Sequence, residues 1–502
     1  MSGSASHKGL SGALKRQKKV GVVGAGISGL LACKYMKAKG FDPIVFEAKS
    51  SIGGVWTKTF HTTKLQTPKP LYQFSDFPWP SSVTQDFPHH LQVLNYITAY
   101  AHHFDLLKHI KFNALVQRIQ FHSQDPAVEA WHLWGGTGQA FNPKAKWTLS
   151  VYNTQTDSTQ VYTVDFVILC VGRFSDVPNI PEFPLNKGPE VFGGKVIHSM
   201  DYASMDGRSA ADLVKGKRVT VVGFQKSALD IAMECSAVNG VKYPCTVLYR
   251  TEHWNLPDYL PWGIPLAYLY LNRFSELMVH KPGETFLLSL IATLLAPLRW
   301  GFSKFVEIHI KWKLGLRKFG MVPNHSFHKE INSCLISTVP EKFYEKVEEG
   351  SIVLRKGPRF WFCKEGIVVD GEGSSGLKTD LVILATGCNG STIQGMHTCR
   401  DSTAFSESVS NLYTSEMRCR WVAELLDGTF ELPSIEEMKK DVERWAEYVK
   451  TYSGQYFRRS CLAALHIWYN DQLCKDMKWN PRRKKGLLAE LFHPYGPLDY
   501  SS

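Results

Sequence analysis

The chain has 502 residues, enough for two to four domains, and a composition (44% hydrophobic, 21% charged) that excludes a disordered or fibrous protein. Its formal net charge is +12, yet no basic block is interleaved with aromatics, so the charge points to anionic cofactors or an anionic surface and away from nucleic acid. Eleven cysteines without a CxxC pair or a Cys/His cluster exclude a metal module and are expected to be reduced thiols of a cytoplasmic protein.

Residues 1–19 are polar and basic, without the apolar stretch of a secretory signal, and Ser2 stands where myristoylation needs glycine. A flexible tail is expected there. From Lys19 the pattern is strand ("KVGVV"), turn ("GAGISG"), helix as far as Gly40, and strand ("PIVFE"). Gly24, Gly26 and Gly29 form GxGxxG, in which the first glycine permits a tight turn, the second lets backbone approach a pyrophosphate, and the third lets helix and strand pack closely. With Ala25, Ile27 and Ser28 they offer free helix N-terminal N–H groups to phosphate. Glu47 ends the next strand about 20 residues on, where a carboxylate holds a ribose hydroxyl and repels a 2′-phosphate. This is an FAD or NAD loop. "GGVW" follows it. Gly54 and Trp56 are expected to contact the same dinucleotide, the alternative being a plain Gly-Gly turn beside a buried tryptophan.

Residues 50–88 read as an ordered loop region, 91–110 as an amphipathic helix, and 112–165 as strands joined by polar turns. "DFVILCVG" (165–172) is expected to be a buried strand. A second strand–turn–helix–strand unit begins at Lys217. Gly223 occupies the first glycine position, but Gln225 stands in the second and Ala228 in the third. Phe224, Lys226 and Ser227 complete the loop, and Arg250, a partner for a 2′-phosphate, ends the next strand. The unit reads as an NADP site loosened by Gln225, with Lys226 adding positive charge. The alternative is a structural βαβ unit that binds nothing.

Residues 254–330 are aromatic, proline-rich and partly helical. Within them "FLLSLIATLLAPL" (286–298) falls short of the roughly 20 residues a spanning helix needs, and Pro297 interrupts it. A buried helix is expected; Trp300 and Lys304 make peripheral membrane attachment the alternative. "DLVILATG" (380–387) is another buried strand, ending in Thr386 and Gly387. From about Ser410 the chain is helical, with Ser434 and Glu437 in a capping-box pattern. The fold class is α/β, with two dinucleotide-binding, Rossmann-like domains: FAD (20–180), an inserted NADP domain (181–330), then the rest of the FAD domain and a helical C-terminal part (331–502).

"FGGKVIHSMDY" (192–202) fits FxGxxxHxxxY. Together with "GAGISG", "GGVW", "DFPWP" (76–80), "VVGFQKSALD", "NHSF" (324–327) and "LVILATG", it resembles the signature of flavin-containing monooxygenases from Val20 to about Tyr500. The second loop is similar to a plant branch associated with disease resistance and with N-hydroxylation of a cyclic amino acid. The resemblance implies that NADPH reduces FAD and that a soft nitrogen or sulfur nucleophile takes an oxygen atom of O2 through a hydroperoxyflavin. Such chemistry needs a dry cavity and neither a metal nor a side-chain nucleophile. It further implies that His198 and Tyr202 position NADP and couple domain movement, and that Gln66 replaces an asparagine that supports the oxygenated flavin. After "ATGCNG" the family continues with a longer stretch, whereas residues 391–406 are polar and irregular. A leaky NADPH oxidase releasing peroxide and an inactive FAD-binding paralog therefore stay open. A cytoplasmic location is expected, with attachment to the endoplasmic reticulum membrane as the alternative.

Overall fold

The β-branched run Lys19–Val23 forms strand β1, and Val20 and Val22 are wholly buried between two layers. Helix α1 (Ile27–Ala38) ends where Gly40 takes a positive φ, and the chain returns as β2 (Asp42–Phe46), parallel to β1. Helix α2 (His90–His103) stops short of the expected 110, because Asp105 adopts a left-handed conformation before the short strand β3 (Ile110–Lys111). Strands β4 (Ala114–Ser123), β5 (Ala145–Asn153) and β6 (Ser158–Val164) form an antiparallel meander, and β7 (Phe166–Leu169) then pairs parallel with β1. The first sheet has the order β3-β2-β1-β7. As its edge strand, β7 is not the buried strand expected: Leu169 is 37% and Val171 48% exposed.

This computed structural model describes residues 18–123, 145–172, 177–371, 376–388, 408, 410–454, 461–462 and 465–501. The tail expectation for 1–17 and the irregular stretch 391–406 lie outside the described residues.

The second sheet begins with β8 (Lys195–His198), which leads into the short helix α3 (Ser199–Ala203). The second βαβ unit follows as β9 (Val219–Val222), α4 (Lys226–Asn239) and β10 (Cys245–Tyr249). A run of helices comes next, among them α5 (Phe286–Lys313) and α6 (Phe327–Asn332), before the sheet resumes with β11 (Ile352–Lys356). Strands β12 (Phe360–Cys363), β13 (Gly366–Val369) and β14 (Leu377–Lys378) make a small antiparallel sheet, and β15 (Leu381–Leu384) closes the unit. The order is β11-β10-β9-β15-β8, all parallel. The expected return to the FAD-binding part at 331 is thus not where the sheets divide, because β11 and β15 both belong to the second sheet. The recurrence of "VIL" at the end of each half has a topological meaning: β7 flanks β1 as β15 flanks β9.

The C-terminal part contains α7 (Asn411–Asp427), α8 (Ile435–Ser453), α9 (His466–Asp476) and α10 (Leu487–Phe492). Ser434 caps α8 through the expected box with Glu437. Leu412, Cys419, Ala423 and Leu426 of α7 pack into the core around α1 and α2, so the second unit is inserted in the first.

Two further expectations are overturned. The apolar run at 286–298 is not a buried helix: α5 continues through Pro297 to Lys313, and Phe286 is 84% and Leu294 69% exposed. The cysteines are not all reduced: Cys334 and Cys461, 127 residues apart, form a disulfide between the end of α6 and the segment after α8. Sequence spacing carries no trace of that meeting.

Candidate active site

Two loops are built alike. Gly24 and Gly223 each follow a central strand at positive φ, and a Cβ on either would lie 2.5 and 2.6 Å from the carbonyl oxygens of Cys170 and Ala385. Their N–H groups donate to Phe46 O (2.7 Å) and Leu248 O (2.9 Å), the last residues or last-but-one of the adjoining strands. A Cβ on Gly29 would overlap the Gly24 carbonyl oxygen outright. At the corresponding place in the second loop, Ala228 fits at ordinary contact, 3.5 Å from a Cβ built on Gly223. The chain's own packing therefore demands Gly24, Gly29 and Gly223.

It does not demand Gly26. A Cβ there would meet only Gly54 Cα, at 3.6 Å. The glycine leaves a cradle at the N-terminus of α1 that a side chain would fill, as close approach of a pyrophosphate requires. Gly53 N donates to Ala25 O (3.2 Å), and Gly54, at φ +57°, brings "GGVW" against the cradle. Glu47 Oε2 accepts from Ala25 N (2.6 Å) and Oε1 from Lys49 N (3.0 Å), so this buried carboxylate holds the loop itself. Ile27 and Ser28 form the first turn of α1, and Ser28 Oγ reaches Ser415 Oγ of α7 at 3.3 Å. Trp56 is half-buried, not the buried residue of the plain-turn alternative, and its Nε1 donates to Tyr72 OH at 3.0 Å. These residues fit a dinucleotide.

In the second loop Gln225 stands at the N-terminus of α4 in an extended conformation, and its side chain makes no capping bond. Ser227 is half-buried beside it. Phe224 is buried against Tyr249, ring centroids 5.2 Å apart, so its side chain belongs to the core. Lys226 departs from expectation: its ammonium pairs with Asp230 one turn along α4, so much of its charge is spent on its own helix. Burial pushes the Asp230 carboxyl up, and Lys226 opposes that rise. Arg250 is exposed after β10, and its guanidinium pairs with no carboxylate among the described residues.

Between the loops, His198 ends β8. Its Nδ1 accepts from Met200 N (3.2 Å), its backbone N–H donates to Asp201 (3.2 Å), and burial lowers its pKa. The neutral ring then carries its proton on Nε2. Tyr202 OH donates to Glu234 of α4 (3.0 Å), whose other oxygen accepts from Thr62 Oγ1 (2.6 Å). Gln66 Oε1 accepts from Thr338 N at 3.3 Å. Both contacts tie the loop after "GGVW" to the second unit. Thr386 bonds the backbone of Asn179, and Asn179 N donates to Gly387 O (3.0 Å), securing the turn after β15. Beside Gly24 of the first loop, the Cys170 thiol is pushed up to about 12 by burial and is no nucleophile.

Sequence reasoning expected helix from about Ser410 but missed what α7 buries there. The half-buried Tyr35 of α1 joins the buried Ser75, Glu416 and Arg420 in one network. Glu416 accepts from Tyr35 OH (2.6 Å), Ser75 N (2.9 Å), Ser75 Oγ (2.8 Å) and Arg420 Nη2 (3.2 Å). Arg420 Nη1 donates to Tyr500 O at 2.6 Å. Glu234 and Asn179 were missed as well.

Two parallel sheets, each with a strand–glycine–helix turn, define a two-dinucleotide α/β architecture. Residues 17–300 match the family model described as flavin-binding monooxygenase-like. The chain is 39% identical to probable flavin-containing monooxygenase 1 of Arabidopsis thaliana, with 96% of both chains covered. It is 26% identical to flavin-containing monooxygenase 3 of Rattus norvegicus, over 96% of this chain and 87% of that protein. Among solved structures, the fold is shared with OTEMO in complex with FAD and NADP (TM-score 0.63, 16% identity, 93% of this chain and 99% of that one). The chain belongs to the flavin-binding monooxygenase-like family and is a flavin-dependent oxidoreductase.

Proposed function

We propose that the protein is an NADPH-dependent monooxygenase that transfers one oxygen atom of O2 to a soft nitrogen or sulfur nucleophile, with a small cyclic amino acid as the first substrate class to test. FAD and NADPH are its cofactors. The observation that carries this reading is the pair of loops with matching geometry, one closed by an acid and the other followed by an exposed arginine. Bound FAD supplies hydride acceptance from NADPH and, once reduced, activation of O2.

The chain's own residues bind and orient. Gly26 and the free N–H groups of Ile27 and Ser28 receive the FAD pyrophosphate, with Gly54 and Trp56 along its flank. Glu47, already bonded to Ala25, fixes the loop and repels a 2′-phosphate at the ribose. Ser227 and the α4 N-terminus receive the NADP pyrophosphate at the greater distance Gln225 imposes, and Arg250 takes the 2′-phosphate. His198 is neutral and holds the turn at α3; it moves no proton to substrate. Gln66 and the Tyr202–Glu234–Thr62 chain set the second unit against the first.

Arg250→Ala is expected to lower kcat/KM for NADPH about 10- to 100-fold, the worth of a charge-assisted hydrogen bond, and to leave NADH nearly unchanged. Equal losses with both nucleotides would remove Arg250 from the 2′-phosphate site. Tyr202→Phe removes one bond of the bridge. It is expected to leave flavin content intact and to slow anaerobic reduction by NADPH about fivefold; an unchanged rate would show that the bridge does not orient the cofactors.

The deciding experiment adds NADPH anaerobically to the flavin-loaded protein, then labelled O2 with a cyclic secondary-amine acid or a thioether amino acid. Bleaching of the flavin band and label in the product support the proposal. Bleaching followed by peroxide alone makes the protein an oxidase, and bound flavin that never bleaches makes it an inactive paralog.

A further inference from the structure

Helix α5 turns a row of large apolar residues to water. Its inward face mixes the buried Ala292, Val306 and Ile310 with three bonded polar residues: Arg299 Nη2 donates to Asn332 Oδ1 (3.0 Å), Ser303 Oγ accepts from His328 N (3.0 Å), and Glu307 Oε1 accepts from Phe327 N (3.0 Å). All three side chains are buried against α6 and its approach. The outward face is apolar. Phe286, Leu290, Leu294, Ile308 and Trp312 fall within one stripe at helical spacing, and each is exposed. Trp262 extends the stripe from a neighbouring loop. It stacks on Trp312 (5.2 Å between centroids, 25° between planes), is itself exposed, and is held at φ +54°, a conformation a bulky residue adopts only under constraint.

We propose that α5 lies flat in the interface of an anionic lipid surface, with its apolar stripe among the acyl chains and Trp262, Trp300 and Trp312 at headgroup level. The helix is long and apolar enough to cross a membrane. Its polar side is bonded to the rest of the protein, however, so it rests on the surface and does not span. Charge selects the occupant. From Phe286 to Gly320 the chain carries six basic residues and a single acid, Glu307, which is buried. Lys304 pairs with Glu307, Lys313 with Asp258 and Lys318 with Glu348, while Lys311 and Arg317 pair with no carboxylate among the described residues. A second copy would bring the same excess positive charge to the face; an anionic leaflet brings the opposite sign.

The test uses the full flavin-loaded chain and vesicles of phosphatidylcholine with or without phosphatidylserine. The protein is expected to float with the phosphatidylserine vesicles. Leu290→Asp with Leu294→Asp is expected to weaken binding by at least about a hundredfold, since each leucine contributes roughly tenfold. Lys311→Glu with Arg317→Glu is expected to reduce the preference for phosphatidylserine about fivefold or more for each residue changed. In the unaltered chain, brominated lipid is expected to quench tryptophan emission, a readout that needs no variant. Absence of both flotation and quenching overturns the proposal. So does a concentration-dependent dimer that the two aspartates dissociate, which would place a second copy on the face.

Discussion

Gly29→Ala is expected to give a protein that neither holds flavin nor folds stably, because the new methyl would occupy the position of the Gly24 carbonyl oxygen. Relief requires α1 to move off β1, and overpacking of this kind costs about 3 kcal/mol or more. Gly26→Ala is the informative companion. Its methyl meets only Gly54 Cα at 3.6 Å, so the folded chain tolerates it. It fills the cradle, so flavin is expected to be lost while the denaturation midpoint of the flavin-free protein stays near that of the unaltered chain. The measurement is the ratio of flavin to protein absorbance beside a denaturant melt. If Gly26→Ala retains full flavin, the pyrophosphate is not against that backbone, and the assignment of the first loop fails.

Glu416→Ala is expected to cost about 3–5 kcal/mol, the penalty for leaving a buried charge without its partner. Glu416 and Arg420 are 1% and 3% exposed, and Arg420 would keep Tyr35, Ser75 and the Tyr500 carbonyl but lose the carboxylate it pairs with. Because the network joins α1 to α7, flavin release should accompany the loss of stability. Glu416→Gln, which can still accept from Ser75 and Tyr35, should fall between. A melt within about 1 kcal/mol of the unaltered chain would mean that the ion pair is dispensable to the docking of α7.

The two nucleotide loops were legible in the sequence because their constraints are local. Gly24, Gly29 and Gly223 are fixed by residues of the same βαβ unit and one strand beside it. The inserted arrangement was legible from the repeated "VIL…G" strands, but its boundary was not: nothing in "SIVLRK" (351–356) distinguishes a strand of the second sheet from one of the first. Glu416 and Arg420, four residues apart on a helix, have the spacing of a solvated surface pair; only the tertiary fold shows them buried. The same limit applies to α5. Apolar residues at helical spacing are read as facing a core, and the polar Arg299, Ser303 and Glu307 as facing water. The fold buries Val306 and Ile310 as that reading expects, but it leaves Phe286, Leu290 and Leu294 exposed and buries the three polar residues, for which α6 and its approach supply partners.

The docking of α7 on α1 also sets the order in which the protein can be completed. Synthesis delivers α1 and β1 first, yet the helix that covers them begins at Asn411, and the carbonyl that caps Arg420 belongs to Tyr500. The second sheet is complete once β15 has emerged at Leu384, so the middle of the chain can close while its beginning waits. Throughout that interval the apolar face of α1 (Leu30, Leu31 and Met36 among it) lacks part of its covering on a nascent chain still attached to the ribosome. The second sheet can therefore close before the covering of the unit that precedes it in the chain is complete.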